Sequence, residues 1–131
     1  MATIKSYTDI EQSKRLVEIL PLESADMCYI QDYLAGGNYG EYKPYIGNLI
    51  PAYGQGKIRC WSLAALFNYL REIDFFPNIE VDARGVTMDI NYYDEKEARP
   101  LAPVYNIKIK TDNFIDAIYE MILKLNELKM L

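Results

Sequence analysis

Cys60-Trp61-Ser62-Leu63-Ala64-Ala65-Leu66-Phe67-Asn68-Tyr69-Leu70 is the most apolar run of the chain and holds its only tryptophan. Leu63, Leu66, Phe67 and Leu70 recur at i, i+3, i+4 and i+7, the spacing of one helix face. Trp61, Ala64, Ala65 and Tyr69 make most of the remaining surface apolar as well. A helix apolar nearly all round belongs in the interior, so a buried central helix is expected near residues 62–73, with Ser62 as its N-cap.

The segment ahead of this helix has the most unusual composition. Between Tyr29 and Gly56 lie six tyrosines (Tyr29, Tyr33, Tyr39, Tyr42, Tyr45 and Tyr53) and six glycines (Gly36, Gly37, Gly40, Gly47, Gly54 and Gly56). Met27 to Tyr33 reads as a strand, Gly36-Gly37-Asn38 as a turn and Tyr42 to Leu49 as a second strand. Pro51 to Lys57 reads as a loop leading to the helix. Tyrosine offers a large, rigid contact area with a polar tip, and glycine lets a backbone come close to a partner. The plainer reading of the same residues is a half-buried sheet joined by turns.

On the N-terminal side, Thr8-Asp9-Ile10-Glu11 has the form of a capping box with Thr8 as N-cap and Glu11 at N3. Ile10, Leu16, Val17 and Leu20 form the apolar side of that helix; Gln12, Lys14, Arg15 and Glu18 form the wet side. Pro21 stops it. Beyond the central helix, Ile79 to Val81 is a short strand and Asp82-Ala83-Arg84-Gly85 a turn. Val86, Met88, Ile90 and Tyr92 then alternate with polar neighbours at strand period. Asp94 to Arg99 is a charged loop. Tyr105, Ile107 and Ile109 alternate in the same way, so the three segments predict an antiparallel meander with one face on the core. Asp112 or Asn113 caps a last helix, in which Phe114, Ile118, Met121, Leu125 and Leu128 share one face and Glu120 pairs with Lys124. That stripe reads as core, with a dimer seam as the rarer use of such spacing. The expected fold class is α+β: an antiparallel sheet, built from the meander and the tyrosine-rich strands, packed with about three helices. No repeat, low-complexity tract or linker interrupts residues 1–131, so a single domain is expected.

Several chemistries are excluded. The chain has no histidine, which removes Ser-His and Cys-His nucleophile pairs, histidine acid/base catalysis and histidine metal ligands. Cys28 and Cys60 are the only thiols, too few for a structural zinc site in one chain, and they read as two reduced, partly buried thiols rather than a bridge. Gly54-Gln55-Gly56-Lys57 fails as a phosphate loop, because Pro51 stands where the first glycine is needed and Ile58 where Ser or Thr is needed. A net charge of −5 gives no basic footprint for general nucleic-acid binding. No run approaches a membrane span and no leader is evident, so a soluble, cytoplasmic protein without metal or cofactor is expected.

What remains is binding or carboxylate chemistry. Glu23, Asp26 and Asp32 lie near the first strand, and Asp82, Asp89 and Asp94 on the meander. Paired carboxylates hydrolyse glycosides or hold Mg²⁺, but no spacing selects a pair. Lys57 and Arg59, with Lys43 upstream and Tyr53 in the same loop, are suited to an anionic ligand such as a nucleotide.

Ser24-Ala25-Asp26-Met27 with Tyr29, Ile50-Pro51-Ala52, Trp61-Ser62-Leu63-Ala64-Ala65-Leu66, and Asp116-Ala117 with Glu120-Met121 together resemble a group of small uncharacterised proteins. Those proteins are encoded by gut Bacteroidetes and by their phages or mobile elements. In that group the proline–alanine pair runs directly into Trp-Ser-Leu; here Tyr53 to Cys60 intervenes, so the glycine loop reads as an insertion. The resemblance implies an accessory role in phage–host conflict and no transferable activity.

The leading expectation is a non-catalytic protein-interaction module that contacts its partner through the Tyr/Gly segment 29–57, with Tyr39, Tyr42, Tyr45, Tyr53, Lys57 and Arg59 as binding residues. The alternative is a small-ligand protein using the loop 53–59, and the second alternative a carboxylate-based hydrolase.

Overall fold

The computed structural model describes residues 5–34, 36–47, 56–92 and 105–131. Its elements are α1 (Ile10–Val17), β1 (Met27–Tyr33), β2 (Tyr39–Ile46), β3 (Lys57–Cys60), α2 (Leu63–Glu72), β4 (Asn78–Asp82), β5 (Gly85–Tyr92), β6 (Tyr105–Thr111) and α3 (Phe114–Glu127), with a 3-10 turn at Leu22–Ser24. The class is α+β, and the strands form two antiparallel three-stranded sheets, ordered β2-β1-β3 and β4-β5-β6. The chain divides into two compact units, one of Ser6–Leu66 and one of Met1–Lys5 with Phe67–Leu131, and the division falls inside α2.

In the first unit, α1 starts one residue later than Thr8 would dictate. Asp9 is the N-cap: its carboxylate accepts from the Gln12 amide at 2.8 Å, while the Asp9 amide donates to Gln12 Oε1 at 3.2 Å. Thr8 is fully buried, and its hydroxyl accepts from the Trp61 amide at 3.1 Å and contacts Ser13 Oγ at 2.8 Å. A hydroxyl committed to that tertiary contact is lost to the helix terminus, and the neighbouring carboxylate replaces it. Gln12, expected on the wet side, is buried by its capping role, and Val17, expected on the apolar side, is exposed.

β1 matches its predicted span and is the centre of its sheet, with Cys28, Tyr29 and Ile30 all buried. β2 begins three residues before the expected Tyr42, because the turn is confined to the residues around Gly36 and Gly37, both at positive φ. The expected end of that strand at Leu49 lies outside the described residues. Lys57–Cys60, expected within loop structure, is strand β3, paired along its length with Ile30–Met27 of β1. The Ser62 hydroxyl accepts from the Ala65 amide at 3.1 Å, as the N-cap of α2 should. Leu66 and Leu70 are the fully buried positions of that helix; Leu63, Phe67 and Tyr69 are half-buried.

In the second unit, the meander forms as its alternation dictates. Ala83-Arg84 make a two-residue turn between Asp82 and Gly85, and Val86, Met88, Ile90 and Ile107 are buried on one face. The Asp94–Arg99 loop lies outside the described residues. α3 is capped by Asn113, which accepts from the Asp116 amide at 2.8 Å, and it packs over β6 and β5. Its buried face is wider than the predicted stripe: Ile115, Ala117 and Ile122 join Ile118, Met121 and Leu125, while Phe114 and Leu128 are half-buried. A face this wide is core packing, each large side chain contributing roughly 1.5–3 kcal/mol of burial. Lys124 pairs with Glu127 at 3.6 Å rather than with Glu120.

Gly85 is the residue on which the meander turns. Its φ is +135°, and a Cβ there would stand 2.2 Å from the Thr111 carbonyl oxygen of β6. Gly85→Ala should therefore cost about 2 kcal/mol or more, combining backbone strain with displacement of the β5–β6 ladder. A urea midpoint equal to that of the wild type would refute this geometry.

Candidate functional site

The Tyr/Gly segment is the β1–β2 hairpin together with β3, so its side chains are distributed by the sheet's two-residue period. The register gives cross-strand rows. Tyr45, Cys28 and Arg59 form one row, and Lys43, Ile30 and Lys57 the next. Residues opposite one another share a face, so Tyr45, Lys43, Lys57 and Arg59 stand on the same side of the sheet, flanking the buried Cys28 and Ile30. The other face carries the rows Ile46, Met27, Cys60 and Pro44, Tyr29, Ile58.

The predicted residues are thus partly separated. Tyr45, Lys57 and Arg59 share a face, joined by Lys43. Tyr42 lies on the opposite face, half-buried, with its hydroxyl so close to Gly56 that a Cβ there would come within 2.7 Å of it. Tyr39 is exposed at the start of β2, opposite Tyr33. Tyr53 lies outside the described residues. Lys57 and Arg59 are half-buried strand residues, and Arg59 Nη1 reaches the Leu22 carbonyl at 3.5 Å.

The second face is anchored inward. Tyr29 donates its hydroxyl proton to the Thr8 carbonyl at 2.7 Å and meets Tyr7 edge-on, ring centres 6.2 Å apart. Burial, with smaller contributions from Cys60, Tyr7 and Asp9, holds the Tyr29 phenol well above its usual range. At the margin of this sheet Ile46, which sequence reasoning passed over, is 85 % exposed. The signal that could have found it is Pro44. A proline inside a strand marks a sheet edge, and edge side chains near a strand end are poorly covered.

The hydrogen-bond phase of that edge follows from one contact. The Gly47 amide donates to the Asp26 carbonyl at 2.7 Å, so Tyr45 and Lys43 direct their backbone groups toward β1, while Ile46, Pro44 and Tyr42 direct theirs outward. Proline has no N–H, so the middle of the outer edge lacks a donor.

Of the carboxylates near β1, Asp26 is engaged structurally. It accepts from the Ser62 amide at 2.9 Å and from the Ser62 hydroxyl, fastening the start of α2. Asp94 lies outside the described residues. Among the described residues no cluster of three His, Cys, Asp or Glu side chains is arranged to hold a metal ion, and no helix is long and apolar enough to cross a membrane.

Cys28 and Cys60 are free and fully buried. They lie on adjacent strands, but Cys28 is opposite Arg59 and Cys60 opposite Met27, an offset of one residue that sends the thiols to opposite faces. Burial first, then the neighbouring Cys28 and Asp26, push the Cys60 thiol up to about 12.

No protein-family model matches this chain, and neither does a curated protein or a solved structure.

The thiols carry a prediction. Neither should form a disulfide on mild oxidation, and both should react with a thiol reagent near neutral pH only as fast as the first unit opens. The same burial sets the alkaline limit. An unfolded cysteine ionises near pH 8.5, so from there up to about pH 12 the unfolded chain has lost a proton that folded Cys60 keeps, and stability falls as pH rises. Cys60→Ala should flatten this alkaline limb in urea midpoints measured against pH; an unchanged limb would show that Cys60 does not cause it.

Proposed function

We propose that this chain is a non-catalytic protein-interaction module. The observation that carries the reading is the face of sheet β2-β1-β3 bearing Tyr45, Lys43, Lys57 and Arg59, together with the β2 edge beside it, where Tyr39 is exposed and Ile46 is exposed from the opposite face. Tyrosine and arginine are the side chains that most often anchor an interface. The cations sit together although the whole chain has a net charge of −5, so the complementary partner is an acidic protein surface. Pro44 removes a backbone donor from the outer edge, which favours recognition by side chains over strand addition at β2. The absence of histidine and the structural use of Asp26 support a role without catalysis. The resemblance to proteins of gut Bacteroidetes and their mobile elements motivates a cytoplasmic host or phage protein as that partner.

A small anionic ligand is the second reading, favoured by Lys57 and Arg59 standing on one face of β3. Under it, nucleotide binding measured by calorimetry should vanish in Lys57→Ala/Arg59→Ala and persist in Tyr45→Ala.

The interaction reading is tested by capture from source-cell lysate with the wild type and with surface variants. Tyr45→Ala and Ile46→Asp should each reduce capture of the same partner by on the order of tenfold without lowering the melting temperature. Tyr42→Ala, on the half-buried face, should lower the melting temperature instead. Undiminished capture by the Tyr45 and Ile46 variants would sink the proposal.

A further inference from the structure

The second sheet has edges of a different kind. Every residue of β4 is exposed, including Ile79 at 40 % and Val81 at 63 %, although both share the face of the buried Met88 and Val86. Helix α3 packs over β6 and β5, and β4 lies at the margin of that cover. The two-residue turn fixes the hydrogen-bond phase. Asp82 and Gly85 exchange bonds, as do Glu80 with Thr87 and Asn78 with Asp89, so the N–H and C=O of Ile79 and Val81 point away from the sheet. β4 contains neither proline nor lysine to blunt this edge.

β6 forms the opposite edge. Val86/Thr111, Met88/Ile109 and Ile90/Ile107 exchange bonds across β5–β6, so the backbone groups of Asn106, Lys108 and Lys110 point outward. On the inner face β6 carries Ile107 and Ile109, and on the outer face Lys108 and Lys110, both exposed. β4 carries Ile79 and Val81 inside, and Glu80 and Asp82 outside, the latter also accepting from the Arg84 amide at 2.7 Å.

The geometry points to a second copy of this chain as the occupant, its β6 laid beside β4. Two antiparallel pairings separate β4 from β6, so they run parallel within one sheet, and a copy displaced sideways presents its β6 parallel to the first copy's β4. Through β5 the in-sheet register sets Ile79 level with Ile109 and Val81 with Thr111; with the copy slid two residues along the strand from that level, Asn78 meets Asn106, Ile79 meets Ile107, Glu80 meets Lys108, Val81 meets Ile109 and Asp82 meets Lys110. Both apolar pairs fall on the inner face and both opposite-charge pairs on the outer face. The outward groups of Ile79 and Val81 then bond those of Asn106, Lys108 and Lys110, which is the phase a parallel ladder requires. The face match and the charge match are independent and agree; the phase follows from the face match, because L-residues on one face of parallel strands direct their backbone groups to the same side. An antiparallel approach would set Ile79 opposite Lys108 and match neither face.

Such an interface is head-to-tail and leaves one β4 and one β6 edge open at each step, so association continues past the dimer. It is small and charge-dependent, so it is weak and sensitive to salt.

Sedimentation velocity on the full chain tests this. The wild type should sediment faster with rising concentration, beyond a dimer, and less so at high ionic strength. Glu80→Lys/Asp82→Lys and Lys108→Glu/Lys110→Glu, each checked for an unchanged melting temperature, should each associate at least about tenfold more weakly. An equimolar mixture of the two should recover association, because each variant then offers the charge its partner lacks. Val81→Pro removes an outward amide without touching the β4–β5 ladder and should also abolish association. A wild type that stays monomeric, charge variants that associate like the wild type, or a mixture that fails to recover would overturn the inference. Capture of an alternating aliphatic and basic peptide by a monomeric wild type would likewise overturn it, in favour of a foreign strand on β4.

Discussion

The first unit depends on how the chain is held at Trp61. The indole is fully buried, and each polar group of the residue is satisfied within the unit: Nε1 donates to Ser24 Oγ at 2.9 Å, the amide donates to the Thr8 hydroxyl, and the carbonyl accepts from the Thr8 amide at 2.9 Å. A buried donor left unmade costs about 1–3 kcal/mol, so these bonds are obligatory once the indole is inside. They tie together segments more than 35 positions apart, as the separations of Trp61 from Ser24 and from Thr8 show. With Cys60 paired to β1 on one side and Ser62 held by Asp26 on the other, the residue that follows β3 also orients the start of α2. The placement of Lys57 and Arg59 follows from pairing with β1 along the length of β3, which the contacts of Trp61 fix at its far end.

Legibility in the sequence tracked the range of the deciding interaction. The meander and α3 were readable because their periods run over many residues and each element's buried face is written within it. β1 is buried on both faces at Cys28, Tyr29 and Ile30, and it was readable from its apolar and aromatic composition and the glycine turn that follows it. The cap of α1 was misassigned by one residue because Thr8 and Asp9 are both good cap residues locally, and the choice between them is made by Trp61, far along the chain. β3 has only four residues, too short for a period, and it is a strand because β1 supplies its partner bonds.

The candidate site was legible by residue type and not by placement. Tyrosine, lysine and arginine mark the β1–β2 hairpin and β3 by residue type, but a strand's faces alternate with every residue, and parity between strands is set by pairing that composition does not encode. Tyr42 and Tyr45 are three positions apart and so fall on opposite faces; Lys43 joins Tyr45 because two positions separate them. The hairpin shifts register between Gln31 and Tyr33, which changes the count again before Tyr39 is reached. Ile46 escaped notice because its exposure follows from being at an edge, a property of sheet order.

The two sheets also show that an edge is defined by phase as much as by position. On β2 the proline occupies an outward position, where it costs the internal ladder nothing and withholds a donor from any added strand. Moved by one residue to Tyr45 or Lys43, it would break the pairing with β1. On β4 the outward positions belong to Ile79 and Val81, whose amides are intact and whose side chains continue the apolar face. The same strand geometry therefore presents side chains in one unit and backbone in the other. The difference is set by which alternate residues face out, and by whether proline is among them.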